Sequence, residues 1–253
     1  MAFYARSRSA ARPSEQSPAV APEVPTQAPA VDGQTGHIKT LGIAVVNRGD
    51  LLLRCVESVD APIENLVIVN NGGLRDVALA CEAIFERRVL NAHIFKNIGV
   101  YRPARNLGAA GAWNHVFRTS PGPWLIAGND VAFHAGAIVA CDRAVSENPD
   151  ATVLYADGYS VFVMTELGIA QVGYFDESFW PAYFEDDDHY YRSRLAHAKQ
   201  VRVDGCGCAH EKSATIKQDP TLNNYKALLN HYVEKWGGPP GGEAWTVPYN
   251  GRP

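Results

Sequence analysis

The sequence predicts one α/β domain behind an unstructured tail, and three observations carry that prediction. From His37 onward, short apolar runs alternate with stretches of helical periodicity, the arrangement of a sheet flanked by helices. Residues 1–36 are instead rich in Ala, Pro, Ser and Gln, with only Phe3 and Tyr4 as aromatics, too little apolar surface to offset the entropy of ordering. The composition, 46% apolar and 20% charged over 253 residues, is that of a globular protein large enough to bury a substantial single core.

Taken in order, residues 41–46 read as a buried strand, and 50–59 as a helix with Leu52, Leu53, Val56 and Val59 on one face and Asp50 as its N-cap. A second strand over 65–69 ends in the turn Asn70-Asn71-Gly72-Gly73. A helix over 77–88 follows, then a third strand over 93–96, a helix over 109–117 and a fourth strand over 124–127. Beyond it the alternation loosens through 153–155 and 160–164 into the aromatic and acidic segment 173–194, with a further strand over 200–203. The run Gly237-Gly238-Pro239-Pro240-Gly241-Gly242 must be loop. The expected division is therefore a tail over 1–36 and a domain over 37–253.

A net charge of −4 gives no general attraction to nucleic acid, and no basic nucleic-acid patch is evident. No apolar run approaches the roughly 18 residues of a membrane-spanning helix, and 1–36 lack a signal-like apolar core, so a cytoplasmic location is expected. Cys55, Cys81, Cys141, Cys206 and Cys208 are odd in number and lack a framework spacing, which fits reduced thiols. Cys206-Gly207-Cys208 has no second Cys/His pair at zinc spacing and reads as a pair of strand-end cysteines.

Two clusters carry chemistry. Gly128-Asn129-Asp130-Val131 follows an apolar strand, and in open α/β sheets ligands gather beyond the carboxyl ends of strands, where a carboxylate reaches a metal and phosphates. Glu185-Asp186-Asp187-Asp188 lies between Phe179-Trp180-Pro181-Ala182-Tyr183-Phe184 and Tyr190-Tyr191-Arg192. Large aromatics on both sides imply partial burial, where desolvation and like-charge neighbours raise a carboxylate's pKa and suit it to general-base work. Aromatic faces beside carboxylates also suit sugar recognition. His210, after the last strand, pairs with Asp130 as a ligand set of carboxylate and imidazole that suits Mn²⁺ better than Mg²⁺.

These residues together resemble family 2 glycosyltransferases of the GT-A fold, especially the rhamnosyltransferase-like branch. The resemblance runs over most of 40–237. It includes Val67-Ile68-Val69-Asn70-Asn71-Gly72, Asn106-Leu107-Gly108-Ala109-Ala110-Gly111-Ala112-Trp113-Asn114, Asn129-Asp130-Val131, the acidic run with Arg192, and His210 with Ser213. It implies a single mixed, mostly parallel sheet flanked by helices, with a nucleotide-binding first half and an acceptor-binding second half. In it Asp130 matches the last acid of the D-x-D motif that holds the metal on the diphosphate. Asp186 matches the catalytic base, His210 a further metal ligand, and Asn70, Asn106 and Asn114 contacts to the nucleotide sugar. Two positions depart from the pattern: Gly128 replaces the first D-x-D acid, and Asn70 replaces an acid at the second strand's end.

The implied reaction is a single in-line displacement that inverts the anomeric carbon, with Asp186 taking the acceptor proton and a divalent metal (Mn²⁺ or Mg²⁺) on the diphosphate of a nucleotide-diphosphate sugar. Trp180, Tyr183 and Phe184 are expected to form the acceptor wall, with Glu185 beside them and Asp188 binding a hydroxyl or bracing the loop. The acceptor class stays open among a glycan, a lipid-linked sugar, a protein or a modified nucleobase, and a lipid-linked acceptor implies a location peripheral to a membrane. Competing readings are an inactive GT-A-like binding protein, which the missing acid at Gly128 favours, and a sugar-nucleotidyltransferase, which Asn47-Arg48-Gly49-Asp50 disfavours because it is not a Gly-rich phosphate loop. The Gly108 and Gly111 pair falls short of a dinucleotide fingerprint.

Overall fold

The computed structural model describes residues 37–252, so the tail expected over 1–36 lies outside the described residues. Among the described residues nine strands and eight α-helices follow one another in chain order. The first half runs β1 (Thr40–Val45), α1 (Gly49–Glu57), β2 (Asn65–Asn70), α2 (Arg75–Phe85), β3 (Asn97–Tyr101), α3 (Gly108–Thr119) and β4 (Trp124–Gly128). Next come β5 (Val131–Phe133), α4 (Ala137–Glu147), β6 (Val153–Asp157), β7 (Val161–Met164) and α5 (Glu166–Gln171). The last part holds α6 (Glu185–Leu195), β8 (Gln200–Arg202), β9 (Cys208–His210), α7 (Ala214–Gln218) and α8 (Tyr225–Trp236).

Seven strands form one sheet in the order β3-β2-β1-β4-β7-β6-β8, and β5 pairs with β9 in a separate ribbon. Within the large sheet β7 pairs antiparallel with β4 and β6, while the other pairings are parallel. The mixed, mostly parallel sheet expected from the sequence is thus present. β1 sits centrally and is apolar along nearly its whole length because helices cover both of its faces. Alternate residues divide between two cores: Leu41, Ile43 and Leu125 pack with Leu52, Val56 and Ile84 from α1 and α2, while Ile126 packs with Val116 and Phe117 from α3. A third cluster, Phe179, Phe184, Tyr191, Leu228, Tyr232 and Trp236, joins α6 to α8.

Two local expectations are corrected. Residues 93–96 are not a strand: Ala92–Ile94 form a 3-10 turn and the strand begins at Asn97. Arg87 accounts for this, since its guanidinium donates to the carbonyls of Ala92 (2.7 Å), Phe95 (2.8 Å) and Lys96 (3.0 Å), acceptors a strand neighbour would need. Asp50 is not the N-cap of α1. Arg48, in the left-handed region, occupies that position, and Asp50 lies in the first turn bonded back to the Arg48 guanidinium at 2.7 and 2.9 Å. Among the described residues no helix is long and apolar enough to cross a membrane.

Candidate active site

Above the carboxyl ends of the central strands lies a cavity of 210 Å³, lined in part by Val46, Asn106, Gly108, Gly128, Asp130 and Ile216. Its walls are tied by side-chain amides. Asn129 donates to the Asn47 carbonyl (3.1 Å), and Asn47 donates to that of Thr215 (3.1 Å). Asn71 accepts from the Leu107 N–H and donates to the Gly108 carbonyl, both at 3.1 Å, which pins the end of β2 to the start of α3. Gly108 is required there: it sits at φ +73°, and a Cβ would come within 2.7 Å of the Pro181 carbonyl that accepts from Ala109.

Antiparallel pairing of β5 with β9 sets His210 opposite Val131 and so brings the imidazole beside Asp130. His210 Nε2 lies 3.3 Å from Asp130 Oδ1, while its Nδ1 lies 3.0 Å from Asp157 Oδ2. The Asp130 bond leads in raising the His210 pKa, with Asp157 adding to it against the effect of burial. Burial pushes the Asp130 carboxyl up, but His210 and the Ala214 N–H outweigh it and hold it below its ordinary value. Two ligands bonded at about 2.1 Å to one cation at a right angle stand ~3.0 Å apart, so the Asp130 and His210 atoms fit a shared divalent ion. Among the described residues no group of three or more His, Cys, Asp or Glu is arranged to hold a metal. The protein thus offers a pair, with further positions open to phosphate oxygens or water. Gly128 fits this arrangement: a Cβ there would stand 2.9 Å from Asp130 Oδ1 and press the carboxylate from its place beside His210.

The acidic run forms the first turn of α6, and the helix divides it. Glu185 (5% exposed) and Asp188 (0%) face inward, whereas Asp186 and Asp187 are half-buried and line a separate 250 Å³ cavity with Tyr155, Gly158, Tyr159 and Tyr190. Burial raises the Asp186 carboxyl above its ordinary value. Burial and the neighbouring Asp186 together raise Asp187 to about 7. Between pH ~4 and ~7 the folded chain therefore holds a proton on Asp187 that the unfolded chain releases, and stability falls as pH rises through that window. Asp187→Asn is expected to raise Tm at about pH 8.5 and to leave it nearly unchanged at about pH 4, as thermal unfolding at the two pH values would show.

Several residues expected to touch substrate are spent on the fold. Asp188 accepts from Arg192 Nε (2.8 Å) and Trp236 Nε1 (2.9 Å) and pairs with Lys235 Nζ (2.6 Å), so it braces the helix. Glu185 is buried, and desolvation with the neighbouring Asp186 charge raises its pKa well above the ordinary value; it too is withdrawn from an acceptor surface. Asn114 is fully buried, donating to the Phe175 carbonyl (2.8 Å) and Glu177 Oε1 (2.9 Å) and accepting from the Phe175 N–H (3.0 Å), so its amide is committed to the fold. Asn70 is buried and its Oδ1 accepts from the Gly73 N–H. Asn106 does line the cavity, although its Oδ1 accepts from the Gly108 N–H at 2.8 Å.

Trp180 is exposed, and its indole N–H donates to the Asn106 carbonyl at 2.9 Å. It lines a third cavity, of 440 Å³, with Arg105, Asn106, Leu107 and Glu177 rather than with Asp186. Tyr183 packs edge-on against Tyr225. Sequence reasoning singled out Tyr190 beside the acidic run but missed Asp157, Thr215, Ile216, Tyr155 and Tyr159. Asp157 in Ala156-Asp157-Gly158 carries only the signal of a turn residue.

No family model and no curated protein matches the chain. Solved structures do. The mannosyltransferase PcManGT from Pyrobaculum calidifontis, in complex with GDP-Man and Mn²⁺, superposes with a TM-score of 0.56 at 13% identity, over 74% of this chain and 60% of that one. Residues 1–349 of S. aureus TarS give 0.52 at 14% identity, over 68% and 59%. GalNAc-T7 with UDP, GalNAc and Mn²⁺ gives 0.56 at 12%, over 71% and 44%. The chain therefore spans 60% or less of the length of each of these proteins. At such identities the likeness concerns the fold, and that fold is the one of the GT-A glycosyltransferases.

Proposed function

We propose that this chain is an inverting, metal-dependent glycosyltransferase of family 2, akin to its rhamnosyltransferase-like branch, that moves a sugar from a nucleoside-diphosphate donor to an acceptor hydroxyl. The observation that carries the reading is the Asp130–His210 pair at the rim of a strand-end cavity within a GT-A sheet. A divalent cation bound there, with Mn²⁺ favoured by the mixed oxygen and nitrogen ligands, would stabilise the charge on the diphosphate leaving group. Asp130 and His210 would hold it. The amide-tied walls of the cavity would orient the donor, and Asp186 would take the acceptor's proton as the hydroxyl oxygen bonds to the anomeric carbon and the bond to the diphosphate breaks.

Burial favours Asp186 for that role by raising its proton affinity. The place of Asp186 in a tyrosine-lined cavity gives the acceptor aromatic faces to lie against. Gly128 lends no support to an inactive relative, because Asp130 uses the space that an acid side chain at that position would enter.

The test is calorimetric titration of UDP and GDP with and without Mn²⁺. Asp130→Ala is expected to abolish Mn²⁺-dependent affinity, and His210→Ala to lower it about 10- to 100-fold, the scale of a lost metal-site partner. Mn²⁺-dependent binding that survives unchanged in both variants would remove the site.

A further inference from the structure

The pairing of β6 with β7 is regular until Tyr155, opposite Phe162, and then slips, so that Asp157 rather than Ala156 meets Val161. Such a bulge inserts one residue and turns the next side chain in a new direction. Gly158 follows at φ +54°, and the chain reverses into Tyr159. The consequence is that Asp157, at the tip of β6, reaches across to β9 and meets His210 Nδ1 at 3.0 Å. The imidazole is largely buried and has a carboxylate at each nitrogen, Asp157 at Nδ1 and Asp130 at Nε2.

We propose that Asp157 is a positioning residue: by accepting the Nδ1 proton of His210 in a hydrogen bond, it fixes the ring and leaves the Nε2 lone pair facing Asp130, where a divalent cation would be shared. This rests on the metal reading above and adds to it the group that makes His210 a competent ligand. A carboxylate behind a ligating histidine sets its tautomer and increases its basicity. The β6 bulge supplies that carboxylate from a strand that contributes no ligand of its own. Asp157 also adjoins Gly158, which lines the cavity of Asp186 and Asp187, so the same turn connects the metal pair to the proposed proton acceptor.

The experiment uses the full chain and Mn²⁺ alone, with free metal read by electron paramagnetic resonance, together with ¹⁵N NMR of the His210 ring in metal-free protein at a pH where the ring is neutral. Asp157→Ala is expected to weaken Mn²⁺ binding about 10- to 100-fold. It should also lower the share of the Nδ1–H tautomer, since Asp130 at Nε2 is then the carboxylate left beside the ring. Asp157→Asn, whose carbonyl oxygen still accepts a hydrogen bond, should fall between it and the parent. The double variant with His210→Ala should bind no more weakly than His210→Ala alone, since both act through one imidazole. Parental Mn²⁺ affinity and an unchanged tautomer in Asp157→Ala would overturn the proposal while leaving the metal site standing. Parental affinity in His210→Ala would overturn the proposal as well, and parental affinity in both His210→Ala and Asp130→Ala would remove the metal site.

Discussion

Asp186→Asn is expected to lower kcat by roughly 10²- to 10⁴-fold while leaving donor affinity within a few-fold, because the substitution keeps size and hydrogen-bonding capacity but removes the proton acceptor. The other acids of the run serve as controls with distinct outcomes. Asp187→Asn removes a second raised carboxyl from the same cavity and should alter turnover far less, while Glu185 and Asp188 act on the fold. Since burial raises the Asp186 carboxyl, activity should be lost on the acid side at a higher pH than an ordinary Asp would give: a base must be deprotonated, and its proton leaves later. Turnover of an accepted donor and acceptor pair, with calorimetric donor binding alongside, is the measurement. Near-parental turnover in Asp186→Asn, or lost donor binding, would move the base to another acid.

The largest effect on stability is expected at Asp188. Its carboxylate has no exposed surface and is met by Arg192, Lys235 and Trp236, while the Lys235 side chain is itself only 7% exposed. Removing one partner of a buried ion pair leaves the other uncompensated, at a typical cost of ~3–5 kcal/mol. Lys235 keeps Asp176 at 2.6 Å, which places Asp188→Asn near the lower end of that range. Burial pushes the Asp176 carboxyl up, but the bonds from Lys235 and Ser178 outweigh it and bring it down to about 2, so that partner stays charged. Urea unfolding checks the value. A loss of less than about 1 kcal/mol in Asp188→Asn would show that the three contacts are not made in solution.

Local pattern determined a good part of this protein. The apolar run that forms β1, the periodic face of α1, the turn after β2 and the strand ending at Gly128-Asn129-Asp130 are set by neighbours a few residues away, and each is legible in the chain. The choice of Asp130 and His210 as a pair came from a resemblance in order and spacing; the β5–β9 pairing that brings them within 3.3 Å is non-local and carried no periodic signal, because both strands are only three residues long. The strand misplaced at 93–96 failed for a related reason: the guanidinium that takes its carbonyls comes from Arg87, and a side chain's reach is invisible to a pattern of apolar residues.

Only the tertiary structure decided which polar residues line a cavity and which are buried in the fold. Four consecutive acids look equivalent in the sequence, yet on a helix each is turned about 100° from the last, so the packing of α6 against α8 buries Glu185 and Asp188 and leaves Asp186 and Asp187 at a cavity. Asn114, in a motif that promised contact with a donor, is turned inward to satisfy the backbone of Phe175, because a buried N–H and C=O must find partners and α3 holds the amide that meets both. Asp157 owes its place to a bulge of one residue in β6. Residue identity sets what each side chain can do, but strand register and helix rotation set what it meets, and those are fixed by the packing of the whole sheet.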